Sequence, residues 1–186
     1  MNQSKAQPAV GPSFEEVVLP HLDAAYRLAR WLIGNEHDAE DLVQEASLRA
    51  LRYFRTFAGG DGRAWFLRIV RNMCYTWHGH KPPAPIDVFD ESQHTSAQLT
   101  IDPEARLLQA ANVELIERAM QDLPERLREL LVLREIEGLS YQELADVLGI
   151  PMGTVMSGLS RARQAFRRVL SSHLKHSDRQ SDEAMV

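Results

Sequence analysis

Cysteine is nearly absent from the 186-residue sequence: Cys74 stands alone. A single thiol cannot build an internal disulfide framework, and it suits a reducing compartment. Long apolar runs are missing too. A membrane span needs about 20 consecutive apolar residues, so no spanning helix is expected. The opening MNQSKAQPAVGPSFEE does not read as a signal peptide. With only 10 glycines, a fibrous or loop-rich fold is excluded. No segment alternates apolar and polar residues as a half-buried strand would. No phosphate-cradling glycine loop and no nucleophile–base pair stands out, so no catalytic residue, cofactor or enzymatic activity is assigned. Cys74, His78 and His80 could be imagined as zinc ligands, but structural zinc normally takes four and a fourth is not evident. No metal site is assigned, and Cys74 reads as a small buried thiol. The expectation is a cytoplasmic, non-enzymatic protein.

Negative charge is missing from one stretch. The formal net charge is −5, yet no Asp or Glu falls between Val147 and Ser177, where Arg161, Arg163, Arg167, Arg168 and Lys175 do. Acidic residues gather instead in Glu36–Glu45 and in the middle of the chain. Such asymmetry implies two surfaces with different partners.

Helical periodicity runs from Phe14 to about Trp77 and again from Asp102-Pro103-Glu104 to about Ser172. At that second start Asp is a plausible N-cap and Pro occupies the first helical position. Between the two lies a stretch with prolines and no sustained period. The spacing predicts an all-α protein of two small helical domains joined by a flexible linker. Its divisions are a tail over 1–12, a first domain over 13–80, a linker over 81–102, a second domain over 103–173 and a polar tail over 174–186.

The clearest motif is SYQELADVLGIPMGTVMSGLSRARQAFRRVL, Ser140–Leu170. Ser140 and Glu143 form a capping box that starts a helix at Tyr141. Gly149 supplies the left-handed residue that ends it, and Pro151 helps open the next. In that second helix Val155, Leu159, Ala162, Phe166 and Val169 make one buried stripe. The opposite face carries Ser157, Ser160, Arg161, Gln164, Arg167 and Arg168, with Met156 and Arg163 on its flank and Thr154 near its start. A short helix, a tight turn and a longer helix with small polar and arginine side chains suit a DNA major groove. An ordinary helical hairpin would also fit the apolar pattern, but a merely solvated helix usually mixes signs. Gly158 inside this helix costs about 1 kcal/mol relative to alanine. It is either merely tolerated or gives space that DNA backbone or a neighbouring helix needs.

In the first half, GNEHDAEDLVQEASLRALRYFRTF (Gly34–Phe57) buries Ala39, Leu42, Val43, Ala46, Ala50 and Phe54. Asp41, Gln44, Glu45 and Leu48 then point outward. A leucine among acids and an amide fits a helix-in-groove contact, or else a solvated face with one stray leucine. In GGDGRAWFLRIVRNMCYTWHGHK (Gly59–Lys81), an apolar arc of Trp65, Phe66, Ile69, Val70, Met73 and Trp77 leaves Arg68, Arg71, Asn72 and Tyr75 on the remaining face. Cations, an amide and an aromatic suit single-stranded DNA. The glycine-rich loop Phe57–Gly62 could leave room for a flipped base or be a plain turn.

LPERLRELLVLREIEGLSYQELADVLGIPMGTVMSGLSRARQAF (Leu123–Phe166) resembles region 4 of bacterial RNA polymerase sigma factors of the extracytoplasmic-function (ECF) branch, and Gly34–Phe57 resembles their region 2. The resemblance covers about Phe14 to Ser172. It implies docking on core RNA polymerase through Asp41, Gln44, Glu45 and Leu48. It also implies −10 promoter contacts from Arg68, Arg71, Asn72 and Tyr75. Contacts to the −35 element would come from Thr154, Met156, Ser157, Ser160, Arg161, Arg163, Gln164 and Arg167. The implied partners are core polymerase, promoter DNA and an anti-sigma factor. Two other readings share part of this pattern. A helix-turn-helix regulator would need a sensor or receiver, and the first half lacks a receiver's strand–helix alternation. A sigma-like interaction module that does not read DNA would have little use for the arginines from Arg161 to Arg168.

Overall fold

The computed structural model describes residues 11–79 and 108–183, with side chains for 11–79 and 113–174. The expected linker 81–102, the Asp102–Pro103 helix start and His80 lie outside the described residues, as does most of the expected N-terminal tail. Every regular element among the described residues is helical.

Helix α1 (Phe14–Val18) opens with a capping box, in which the Glu16 amide donates to Ser13 Oγ at 3.2 Å and the Ser13 amide to Glu16 Oε2 at 2.8 Å. A 3-10 turn at Leu19–His21 leads into α2 (Leu22–Ile33). That helix stops at Gly34, whose φ of +80° lies in the left-handed region that favours glycine. Asn35 then caps α3 (Glu36–Tyr53), its Oδ1 accepting from the His37 amide at 2.9 Å. Asp61 caps α4 (Gly62–Trp77) in the same way, accepting from Arg63 and Ala64 amides. Helices α2, α3 and α4 pack together, burying Leu28, Leu42, Phe66, Leu67 and Val70. Phe14, Phe54, Phe57 and Trp65 form a linked aromatic cluster with centroid spacings of 5.3–6.2 Å, which anchors the start of the 57–62 loop. Gly62 has a packing role: a Cβ there would sit 2.7 Å from Val17 Cγ1 and 3.0 Å from the Val17 carbonyl oxygen.

The second half comprises α5 (Leu108–Gln121), α6 (Glu125–Leu131) with a π-helical continuation at Val132–Ile136, α7 (Tyr141–Leu148) and α8 (Met152–Glu183). Ser140 and Glu143 form the expected capping box, and Gly149 ends α7 at φ +67°. Val155, Leu159 and Ala162 are buried along α8, which packs on α5, α6 and α7. Gly158 faces inward: a Cβ there would lie 2.9 Å from Leu130 Cδ1, so the neighbouring helix α6 takes the space. Helix α8 continues to Glu183, into the stretch expected as a tail from 174, and residues 174–183 contain neither glycine nor proline to stop it.

The two halves pack against each other. Helix α4 rests on α7, and α2 on α6 and its π-helical continuation. Their buried apolar residues form one continuous cluster.

Candidate nucleic-acid and polymerase interfaces

On α3 the stripe of Ala39, Leu42, Val43, Ala46 and Ala50 is buried, which turns Asp41, Gln44, Glu45 and Leu48 to the outside. Leu48 is 59% exposed, and Leu51 and Tyr53 extend the uncovered row. An exposed leucine bordered by acids and an amide can insert into an apolar groove whose rim is basic.

Helix α4 divides its four polar candidates. Arg68 is exposed, and its guanidinium lies beside the Gly149 turn between α7 and α8. Asn72 is partly exposed. Arg71 and Tyr75 are only 5% and 3% exposed, and both face Glu129 of α6, itself 2% exposed. Arg71 Nε donates to Glu129 Oε1 at 2.5 Å and Nη2 to Oε2 at 3.4 Å, while the Tyr75 hydroxyl donates to Oε2 at 3.1 Å. The Arg71 guanidinium also lies 5.0 Å from the Tyr75 ring centroid. Burial pushes the Glu129 carboxyl above its ordinary range, while the Arg71 charge and the two hydrogen bonds pull it back. Burial and the Glu129 charge push the Tyr75 phenol upward. Burial raises the Cys74 thiol to about 12, so it is no nucleophile at neutral pH. Arg71 and Tyr75 thus stand on the polar face expected of them, but α6 covers that face.

A groove between α3 and α4 stays open. It consists of two adjoining depressions of about 480 and 510 Å³ that share Arg49, Met73 and Thr76. One reaches Tyr53, Thr56, Trp65 and Asn72, and the other reaches Asp41, Glu45 and Trp77. Arg49, Tyr53 and Thr56 were not singled out from the sequence. A cation and a phenol on the outer face of α3, followed by a hydroxyl in the 3-10 turn Phe54–Thr56, could have pointed to them.

On α8, Met156, Ser157, Gln164 and Arg167 are exposed, and Thr154, Ser160 and Arg161 are partly so. Arg161 Nε donates to the Ser157 carbonyl at 3.4 Å. Arg163 is held within the same half: its Nε and Nη2 donate to Glu135 Oε1 at 3.0 and 2.7 Å, which favours its charged form.

Sequence reasoning missed a second set of contacts between the halves. The Glu137 side chain is fully buried; Arg27 donates to it at 2.6 and 2.8 Å, and Arg63 Nη2 at 3.2 Å. Arg63 Nη2 also donates to the Glu137 carbonyl at 2.6 Å. Arg128 donates to the Trp31 carbonyl at 3.1 Å and to the carbonyls of Met120, Gln121 and Leu123, tying the end of α2 to that of α5. For the Arg71–Glu129 pair the available signal was a carboxylate inside LRELLVL (Leu127–Leu133), where an acid followed by an apolar run must find a buried cation; no comparable run surrounds Glu137.

Comparison with known proteins agrees with this division into two helical halves. The sigma-70 region 2 family model matches residues 17–80, and the sigma-70 region 4 model matches 113–166. The ECF RNA polymerase sigma factor SigE of Mycolicibacterium smegmatis is 34% identical over 89% of this chain, which spans 64% of that longer protein. The RNA polymerase sigma-H factor of Pseudomonas aeruginosa is 32% identical, covering 88% of this chain and 89% of the relative. The Escherichia coli ECF RNA polymerase sigma-E factor is 34% identical over 69% of this chain and 71% of its own length. Among solved structures, the Bartonella quintana sigma factor RpoE bound to the anti-sigma factor NepR superposes with a TM-score of 0.60 at 25% identity, covering 85% of this chain and 96% of that one. CnrH bound to the cytosolic domain of CnrY gives 0.59 at 25% identity, covering 86% and 88%. Two separate sigma signatures on two helical halves, with relatives 32–34% identical over 69–89% of the chain, make this chain a member of the ECF branch of the sigma-70 family, the non-enzymatic factors that direct transcription initiation by RNA polymerase.

Proposed function

We propose that Asp41, Gln44, Glu45 and Leu48 dock the chain on core RNA polymerase. Arg68, Arg71, Asn72 and Tyr75 then act on the −10 strand, and Thr154 to Arg167 on α8 read the −35 duplex. The observation that supports this reading best is the open α3–α4 groove. It begins at the docking residues Asp41 and Glu45 and ends at Tyr53 and Asn72, the one of the four −10 candidates that lines it, so a strand held there would lie against the polymerase-bound face. Clefts of this size accept small planar groups, and Tyr53 with Arg49 offers a stacking surface beside a cation. On α8 the small residues near the helix start, Thr154, Ser157 and Ser160, suit close approach to base edges, while Arg167 and Arg168 suit phosphates. An anti-sigma factor is proposed as a further partner, because the RpoE structure holds NepR. Among the described residues no helix is long and apolar enough to cross a membrane, and we place the protein in the cytoplasm, where the polymerase works.

Two substitutions test the reading. Leu48→Asp should leave the circular dichroism spectrum unchanged and abolish co-elution with core polymerase, because docking would bury an unpaired charge. Tyr53→Ala should weaken holoenzyme binding to a pre-melted promoter fork by about 1–3 kcal/mol, with core affinity intact. Normal co-elution of the first variant contradicts the docking surface, and unaltered fork binding by the second contradicts the groove.

A further inference from the structure

The outer face at the start of α8 is apolar, although side chains that read base edges are mostly polar. Met152 and Met156 are 46% and 50% exposed, one turn apart on the same face. The fold does not call for them there, because Val155, Leu159 and Ala162 make the side of α8 that is buried. Met152–Ser160 contains no Arg, Lys, Asn, Gln, Asp or Glu. Bidentate readout of guanine takes Arg or Lys, that of adenine takes Asn or Gln, and cytosine is read by a carboxylate. Arg161 is the first cation on the helix, and its Nε donates to the Ser157 carbonyl at 3.4 Å. The Ser157 hydroxyl donates to the Thr154 carbonyl at 3.2 Å. Serine and threonine hydroxyls do not choose sharply between bases, so the discriminating groups at this end are the two thioethers. In the major groove only thymine presents a methyl group. We propose that Met152 and Met156 set the specificity of the −35 element by packing on thymine C5-methyl groups.

Exposed methionines also suit a protein partner, since their flexible thioethers adapt to many surfaces. The charge around this pair favours DNA. No Asp or Glu falls between Val147 and Ser177, and Arg161, Arg167 and Arg168 follow on the same helix, so phosphates are drawn to the face that the methionines begin. The two side chains stand about 6 Å apart along the helix axis, close to two base-pair steps of about 3.4 Å. The contacted thymines should therefore lie within about two steps of each other. This inference rests on the −35 reading of α8 made above and adds which base that helix selects.

The test uses holoenzyme assembled from core polymerase and the full chain. Promoters selected from a library define the −35 element, and each thymine in it is then replaced by deoxyuridine. That change removes the C5-methyl and leaves every hydrogen-bonding group in place. Wild-type binding should fall about fourfold for each contacted methyl, the effect of leaving one carbon unburied. Met156→Ala should bind the thymine and uracil forms of its position alike, and Met152→Ala should do so at the neighbouring position. Met156→Leu should keep the preference. A selected element without thymine, or a wild-type holoenzyme indifferent to uracil at every position, overturns the inference. So does a Met156→Ala holoenzyme that loses activity equally on thymine and uracil promoters, which would assign the methionines to a protein partner. Arg161→Ala separates this inference from the reading beneath it. If Arg161→Ala weakens binding to the selected element while uracil is accepted, α8 reads DNA and only the methionine contact fails. If neither Arg161→Ala nor Met156→Ala alters binding, the −35 reading itself fails.

Discussion

Arg71 of α4 and Glu129 of α6, 58 positions apart in sequence, meet at 2.5 Å with both side chains almost wholly removed from solvent. A buried ion pair is poor evidence of net stability, because the desolvation cost rivals the attraction. It is strong evidence of dependence: neither partner tolerates loss of the other. Arg71→Met alone should therefore lower stability in urea unfolding by up to about 3–5 kcal/mol. The loss is capped by the cost of parting the halves so that water reaches Glu129. The double variant Arg71→Met/Glu129→Leu should recover most of that loss. Losses that simply add would mean that the two residues are not coupled.

The local features of this chain were legible in its sequence, and the contact between its halves was not. Ser140, Glu143, Gly149 and Pro151 act on the backbone within a few residues of themselves, so their meaning does not depend on the rest of the fold. The apolar stripes of α3 and α8 were equally plain. Periodicity identifies the face that is apolar, but it cannot tell a polar face bathed in water from one covered by complementary polar groups. That is why Arg71 and Tyr75 read as free. Gly158 left two explanations open until Leu130 was found against it. Of the α3–α4 groove, Asn72, Asp41 and Glu45 were found as members of their own helix faces, while the part Arg49 and Tyr53 play depends on how two helices lie together.

Gly62 and Gly158 are close-approach glycines with different tolerances. At Gly62 an added methyl meets both the side chain and the carbonyl oxygen of Val17, and backbone cannot step aside cheaply. Gly62→Ala should cost about 1–3 kcal/mol in thermal unfolding. At Gly158 the obstacle is a single leucine methyl, and the helix-propensity gain of about 1 kcal/mol offsets part of the strain. Gly158→Ala should be the milder of the two. A Gly62→Ala protein as stable as wild type would mean that α1 does not rest on α4 in solution.

Glu143 closes the capping box at the start of α7, and hydrogen bonds from Ser140 hold its carboxyl below the ordinary carboxylate range. A depressed folded-state value means that its charged form contributes fully above the ordinary pKa of about 4.3. The contribution is then lost as pH falls through the lower folded value. Glu143→Gln keeps an acceptor but cannot titrate. Its deficit relative to wild type should be a few tenths to about 1 kcal/mol at pH 7, shrinking as pH falls below the ordinary carboxylate range and through the lower folded-state value. Melting curves for both proteins across that range decide it; a deficit independent of pH would mean that the charge of Glu143 plays no part.

The most direct measurement is single-round transcription from a promoter library with core polymerase, adding wild-type chain, Arg161→Ala or Arg167→Ala. Wild-type chain should select a subset of promoters sharing two spaced elements. Arg161→Ala should cost about 1–3 kcal/mol on the cognate −35 sequence and little on a scrambled one. Arg167→Ala should weaken all promoters alike and reduce the salt dependence by about one unit of slope. Transcripts no different from core polymerase alone, or a selected set indifferent to both arginines, would contradict the assignment of α8 to promoter recognition.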